Sequence, residues 1–140
     1  MKSYNLRDAA LIKEDALPAG ASTTVNGTAL DLQTASGQNS ARLAPVELLL
    51  SAPALTTTML PDSRTMTYSL QCDEDSAFGS PRTLVASCIV QTGGSSAGAA
   101  ADTYRMKLPS DCERYVRAVA VSGASVTDSS SKKMKLELLA

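Results

Sequence analysis

The sequence predicts an all-β fold, namely an antiparallel jelly-roll-like β-sandwich of about seven or eight strands. Short segments in which apolar and polar residues alternate recur along the chain, and this period of two is typical of strands with one buried face. Gly, Pro, Ser and Asp, which favour turns, separate these segments. No long segment has the apolar period of a helix. Strands joined directly by turns predict two packed antiparallel sheets.

The length and composition predict a single domain with a thin core. The chain has 140 residues, and a domain of this size buries roughly 68% of the surface that its unfolded chain exposes. Hydrophobic residues make up 44% of the sequence, but many of them are alanine, and there is one Phe and no Trp. We therefore predict an extended N-terminal arm at residues 1–20 and one sandwich domain at residues 21–140, stabilised in part by a partner or by self-association.

Composition also argues against several classes of function. The formal net charge of −1 gives no general attraction for nucleic acid, and no apolar segment is long enough to span a membrane. The N-terminus carries charges where a signal peptide needs an apolar run, which predicts a protein that stays where it is synthesised. The chain has no histidine, which excludes Ser-His-Asp catalysis and histidine metal sites. We expect neither an enzyme nor a bound cofactor.

Six segments have the length and alternation of strands, and a seventh region around Asn26-Gly27 has the residues of a tight hairpin turn. In the clearest strand, Met66, Tyr68, Leu70 and Cys72 are predicted to share the buried face. Apolar residues lie on both faces of 115–121, which predicts a central strand. The six segments are 46–50, 65–72, 83–91, 103–108, 115–121 and 132–138.

In the last of these segments, Met134, Leu136 and Leu138 are predicted to face inward. The intervening Lys133, Lys135 and Glu137 are predicted to face water.

Other motifs have ordinary structural interpretations. Asp73-Glu74-Asp75 lacks the ligand spacing of a calcium loop and is interpreted as a solvated acidic turn. Residues 93–101 lack the Lys and Ser or Thr of a phosphate loop and are interpreted as a flexible linker. Ser129 and Lys132 have the Ser-x-x-Lys spacing of some acyl-transferring enzymes, but they precede a strand and are interpreted as an exposed turn.

The tyrosines and cysteines are assigned mainly to the core. Tyr68 and Tyr104 occupy apolar strand faces, so packing is favoured over stacking on a sugar ring. The three cysteines have no metal-site spacing and are expected to be reduced core residues: Cys72, Cys88 and Cys112.

Three stretches of the sequence resemble a known family. They are Asp-Ala-Ala-Leu-Ile-Lys-Glu-Asp-Ala near the N-terminus, Leu-Pro-Ser-Asp-Cys-Glu-Arg-Tyr-Val-Arg before the central strand, and the final Lys-Met-Lys-Leu-Glu-Leu-Leu. In this order they look like the small cement proteins of tailed phages, in particular the Bordetella phage cement protein family. The resemblance implies a jelly-roll protein that decorates the outer surface of an icosahedral head, acts as a homodimer and fastens neighbouring major capsid protein subunits. It also implies synthesis in the cytoplasm of the bacterial host.

Candidate partner-binding residues follow from this hypothesis. An N-terminal arm would contact the capsid, and two arginines beside Tyr115 could pair with capsid carboxylates. The alternative is a carbohydrate- or receptor-binding sandwich module of a phage tail or adhesin. The candidate residues are Tyr4, Leu6, Arg7, Leu11, Ile12, Arg114 and Arg117.

Overall fold

The computed structural model describes residues 12–32, 47–109 and 111–139, and the elements that lie wholly within these residues are strands. None of them forms a helix of the length and apolar character needed to span a membrane. The nine strands are β1 (Ile12–Ala16), β2 (Thr24–Asn26), β3 (Leu30–Asp31), β4 (Glu47–Ala52), β5 (Thr65–Asp73), β6 (Arg82–Thr92), β7 (Asp102–Lys107), β8 (Tyr115–Ser122) and β9 (Lys133–Leu139).

The strands form two antiparallel sheets that pack as a β-sandwich. One sheet has the order β1-β9-β4-β7, and the other has the order β2-β8-β5-β6, with β3 also paired to β8. The pairs are nested: the first strand pairs with the last, β2 and β3 with β8, β4 with β7, and β5 with β6. Such nesting is that of a long hairpin rolled into two layers, so the predicted jelly-roll-like sandwich is confirmed. β8 is central, as predicted.

Strands β2 and β3 form one interrupted edge strand, so the predicted hairpin at Asn26-Gly27 is wrong. Both strands pair with β8, Val25 opposite Ala120 and Leu30 opposite Val116, and they do not pair with each other. Gly27 lies in the interruption because its backbone approaches β8 closely. A Cβ atom at Gly27 would be 2.8 Å from the carbonyl oxygen of Ala118. The glycine therefore permits close strand contact rather than a reversal of the chain.

The neighbouring Asp15 of β1 connects the two sheets at this side of the sandwich. Its carboxylate accepts hydrogen bonds from the Thr28 amide at 2.9 Å and from the Thr28 hydroxyl at 2.6 Å. β1 lies within the segment assigned to the N-terminal arm, and Leu17, which follows it, is 2% exposed. The described part of that segment is therefore built into the sandwich.

Alternation identifies the buried face of β5 and most of that of β9. Met66, Tyr68, Leu70 and Cys72 are completely buried, as predicted, and the inward residues of β9 are also buried. Glu137 is the exception, because it is only 2% exposed although the sequence places it on the solvent face. It lies opposite Ile12 on one side and Leu49 on the other, and Lys135 forms an ion pair with it at 3.6 Å. The predicted exposure of Glu137 is therefore wrong.

A buried hydrogen-bond network joins the two sheets at one end of the core. The Tyr68 hydroxyl donates to Gln91 Oε1 at 2.7 Å, and both side chains are buried. Gln91 Nε2 donates to the carbonyl oxygens of Pro53 at 2.7 Å and Ala100 at 3.0 Å. Pro53 follows β4 and Ala100 precedes β7, so one side chain from the second sheet satisfies backbone groups next to two strands of the first.

The segment 93–101 is bonded to the sandwich, so the predicted linker is wrong. Leu55 and Ala99 exchange two backbone hydrogen bonds of 2.9 Å, and the Gly93 amide donates to the backbone carbonyl oxygen of Arg64 at 2.9 Å. Gly98 adopts a φ of +69°, and a Cβ atom there would meet the Leu55 carbonyl oxygen at 2.0 Å. These glycines therefore serve close backbone contacts.

We expect Tyr68→Phe to destabilise the fold by about 1–2 kcal/mol, because it leaves the buried Gln91 Oε1 without its donor. Urea unfolding measures this change. Tyr104→Phe is the matched control, since Tyr104 is only partly buried and packs at the border of the core. Equal effects of the two substitutions would contradict the role assigned to the network.

Candidate partner-binding surface

The structure separates the candidate binding residues into three groups. Tyr4, Leu6, Arg7 and Leu11 lie outside the described residues. Ile12 begins β1 and is partly buried opposite Glu137 of β9. Arg114 immediately precedes β8, and Arg117 is the third residue of that strand. Both lie near the end of β3 and near the loop between β5 and β6. We call the set of Asp31, Gln71, Phe78, Arg114, Tyr115 and Arg117 the arginine–aromatic cluster.

The guanidinium group of Arg114 is held by contacts within the chain. Its Nε and one terminal nitrogen donate to the two carboxylate oxygens of Asp31 at 3.0 and 2.9 Å. Its Cζ also lies 4.9 Å from the centroid of the Tyr115 ring. The bidentate hydrogen bond to Asp31 is the main cause of the raised pKa of Arg114. This arginine connects β3 to β8, and the planar face of its guanidinium group stacks on the Tyr115 ring.

The guanidinium group of Arg117 is held in a different way. Its Cζ lies 4.2 Å from the centroid of the Phe78 ring, and its Nε donates to Gln71 Oε1 at 3.0 Å. Among the described residues, no hydrogen bond or ion pair involves its two terminal nitrogens. Partial burial lowers the pKa of Arg117, and the nearby Asp73 carboxylate acts in the opposite direction. The result is a half-buried cation whose orientation is fixed while two donor groups remain available.

Phe78 and Gln71 support Arg117, and sequence reasoning did not identify them. Phe78 is 7% exposed and has a φ of +52°, a conformation that is rare for a bulky residue. Strain of this kind costs of order 1–3 kcal/mol and persists where the surroundings enforce it. One signal in the sequence was that the single phenylalanine lies in a polar loop. Gln71 pairs with Arg117 across β5 and β8, which becomes visible only once the strand register is known.

Asp73 organises the loop that carries Phe78. Its carboxylate accepts hydrogen bonds from the amides of Asp75 at 3.1 Å and Ser80 at 2.8 Å. Asp73 is 6% exposed, so the prediction of a solvated turn is wrong for this residue. The bond from Ser80 is the main cause that lowers the pKa of Asp73, with the Asp75 amide and Arg117 contributing. An acidic side chain thereby holds both ends of the loop.

The described residues contain no group of three or more His, Cys, Asp or Glu side chains that could hold a metal ion. The three cysteines are free thiols, and burial raises the pKa of each, to about 11 for Cys88 and about 12 for Cys112. High thiol pKa values disfavour the nucleophilic thiolate. The prediction that these thiols are reduced core residues agrees with their placement in or against the core.

The remaining motifs also have structural roles. Tyr68 is completely buried and Tyr104 is partly buried against the core, so the predicted packing of both rings is confirmed. Ser129 is completely buried, which corrects the expectation of an exposed turn, and its hydroxyl donates to the Thr127 carbonyl oxygen at 3.2 Å.

Neither a protein-family model nor a curated protein matches the sequence.

We expect Asp73→Asn to lower stability at neutral pH, because the amide group cannot accept both backbone bonds as a carboxylate does. The lowered pKa of Asp73 means that its contribution is present above the ordinary aspartate pKa of 3.8 and is lost as the pH falls below it. The difference between wild type and variant should therefore shrink in acid. Urea unfolding at neutral and acidic pH measures this, with Asp102→Asn on β7 as the control; a constant difference would contradict the assignment.

Proposed function

We propose that this chain is a virion structural protein that cements a phage capsid. It binds the outer surface of an icosahedral head, joins neighbouring major capsid protein subunits and acts as a homodimer. The observation that carries the proposal is the fixed guanidinium group of Arg117, which presents two donors from a rigid sandwich. A planar cation of this kind suits recognition of a carboxylate on a protein surface. The family resemblance of the sequence supplies the identity of that partner.

The physical chemistry of the described residues supports a binding role over a catalytic one. Arg117 is oriented before any partner arrives, so little side-chain entropy is lost on binding. The arginine–aromatic cluster also has the residue types that dominate protein interfaces, namely Arg and large aromatic residues. If each dimer contacts several capsid subunits, the individual contacts are modest but must break together. Cementing would then follow from multivalency.

The proposal is tested by mixing the purified protein with empty heads of the virus whose genome encodes it. We expect the protein to co-sediment with the heads, and electron microscopy to show it on their outer surface. Saturation at a fixed number of copies per capsid subunit would distinguish specific binding from adsorption. Absence of co-sedimentation over a broad range of protein concentrations and ionic strengths would contradict the proposal.

Within this assay, Arg117→Lys should weaken binding by about 10-fold or more. Lysine keeps the charge but loses both the planar stacking on Phe78 and the bidentate geometry. Arg105→Lys is the matched control, because Arg105 is an exposed arginine on β7 that pairs with Glu47 at 3.4 Å, away from the cluster. Equal loss of binding in both variants would show that the effect is not specific to Arg117 and would contradict its assignment to the interface. Unchanged binding by Arg117→Lys would remove this residue from the interface.

Deleting residues 1–11 should abolish capsid binding while leaving the sandwich folded. This deletion keeps β1 and its complete pairing with β9, from Ile12 opposite Glu137 to Ala16 opposite Lys133. Circular dichroism and urea unfolding report the fold, and co-sedimentation with empty heads reports binding. A folded variant that binds as well as the complete chain would contradict the role proposed for Tyr4, Leu6, Arg7 and Leu11.

A further inference from the structure

Strand β6 is an edge strand whose residues differ from those of the other described edges. β1 contains Lys13, Glu14 and Asp15, and β7 contains three charged residues in six positions. The β2 and β3 edge is covered in part by the bonds between Asp15 and Thr28. β6, by contrast, is the longest described strand, with 11 residues, and its only charged residue is Arg82 at its start. The sequence has no charged residue from Thr83 to Ala101.

An uncharged edge has a physical consequence. Its backbone N–H and C=O groups can pair with another strand, and monomeric proteins usually prevent this with charges, proline or a covering segment. β6 contains no proline, and its register with β5 shifts between Thr83 and Val85 and again at a bulge near Ser87, which has a φ of +53°. The bulge leaves a regular run from Cys88 to Thr92, of which Ile89 to Thr92 pair residue by residue with β5. That run is suited to pairing on its other side.

The largest exposed apolar side chain in this run is Val90. It is 49% exposed, and Val121 is the other large hydrophobic residue that is exposed among the described residues, at 39%. Both lie opposite Thr67 of β5, one on each side, so they belong to one row across the outer face of this sheet. Val90 is at the edge end of the row, whereas Val121 is two strands further in. A strand added to β6 would cover Val90 and leave Val121 exposed.

We propose that the strand added to this edge is β6 of a second copy of the chain. Antiparallel pairing about a two-fold axis at Val90 places this valine opposite its own copy, Ile89 opposite Gln91, and Cys88 opposite Thr92. The pairing brings no like charges together, because the paired segment and the loop that follows it are uncharged. A charge-free edge is complementary to itself, whereas a charged edge repels its own copy. The two sheets then form one continuous sheet across the dimer.

The surroundings of β6 leave space for this approach. An open cleft of about 520 Å³ lies between the end of β6 and the loop that leads to β7; most of its lining residues are Gly, Ala, Ser or Thr, and Asp102 at the start of β7 is its one charged residue. Such small side chains allow another backbone to come close. Gln91 also lines the cleft, but its amide is already bonded to Pro53 and Ala100. The buried network would therefore remain intact in the dimer.

The size of the contact sets the expected affinity. A run of five residues spans about 17 Å, so the pair and its flanking side chains fall at the low end of interface sizes, below about 1,200 Å² in total. We expect a dissociation constant of about 1–100 μM for the isolated protein. On a capsid, where copies are held close together, even this affinity would be sufficient for pairing. The inference rests on the dimer of the proposed function and does not require capsid binding.

Sedimentation equilibrium of the complete chain, with Val90→Lys and Val121→Lys as paired variants, tests the proposal. Wild type and Val121→Lys should dimerise equally, whereas Val90→Lys should raise the dissociation constant by about 10-fold or more, because it places two cations opposite each other. Both valines are exposed, so both variants should fold, which urea unfolding checks. Hydrogen exchange of wild type should show amide protection of residues 88–92 that increases with protein concentration.

Each other outcome contradicts the inference in a specific way. If both lysine variants weaken dimerisation equally, the dimer contact lies on the outer face of the sheet rather than at the β6 edge. If neither variant has an effect, the contact does not involve β6. A chain that remains monomeric at millimolar concentration would exclude this dimer, even if it still co-sediments with empty heads. Conversely, a β6 dimer that does not bind heads would leave this inference intact and contradict the capsid proposal.

Discussion

The hydrogen bonds from the Gln91 amide to Pro53 and Ala100 are the interactions on which the arrangement of the two layers depends most directly, because they run from one sheet to backbone groups beside the other. A β-sandwich buries apolar faces, but apolar contact alone does not fix how one sheet is placed on the other. Gln91 adds direction, because its amide bonds to backbone groups beside β4 and β7 while its oxygen accepts from Tyr68. With these partners the polar atoms cost little to bury. Without one of them, the remaining groups would be desolvated and unpaired.

The same network determines which side chains of β6 are buried and which are exposed. Gln91 points inward and is bonded, so the alternating Val90 and Thr92 point outward and remain exposed. The loop after β6 is drawn toward the sandwich by the Ala100 carbonyl and by the exchange of bonds between Leu55 and Ala99. β6 is consequently held in place by the contacts of its buried residues, while its exposed residues and the strand edge that faces away from β5 remain accessible. Rigidity of this kind lowers the entropy lost when a second strand is added.

Much of the fold could be predicted because alternation reports burial directly. The buried face of β5, the inward residues of β9 and the central position of β8 all follow from which residues are apolar at spacings of two. The hairpin at Asn26-Gly27 was mispredicted because glycine also serves close backbone contact, and only the position of β8 shows which use applies. Glu137 was mispredicted because alternation assigns a face and cannot tell whether that face is covered. Residues 93–101 were mispredicted because their fixed contacts come from distant residues such as Leu55.

The candidate site shows the same boundary between local and non-local information. Arg114 and Arg117 look equivalent in the sequence, being three residues apart on either side of Tyr115. The fold makes them different. Asp31 of β3 accepts two hydrogen bonds from the guanidinium group of Arg114, whereas Gln71 of β5 accepts one from the Nε of Arg117. Those partners are 83 and 46 residues away along the chain. No local pattern could have ranked the two arginines, and it is their ranking that makes Arg117 the residue to test at an interface.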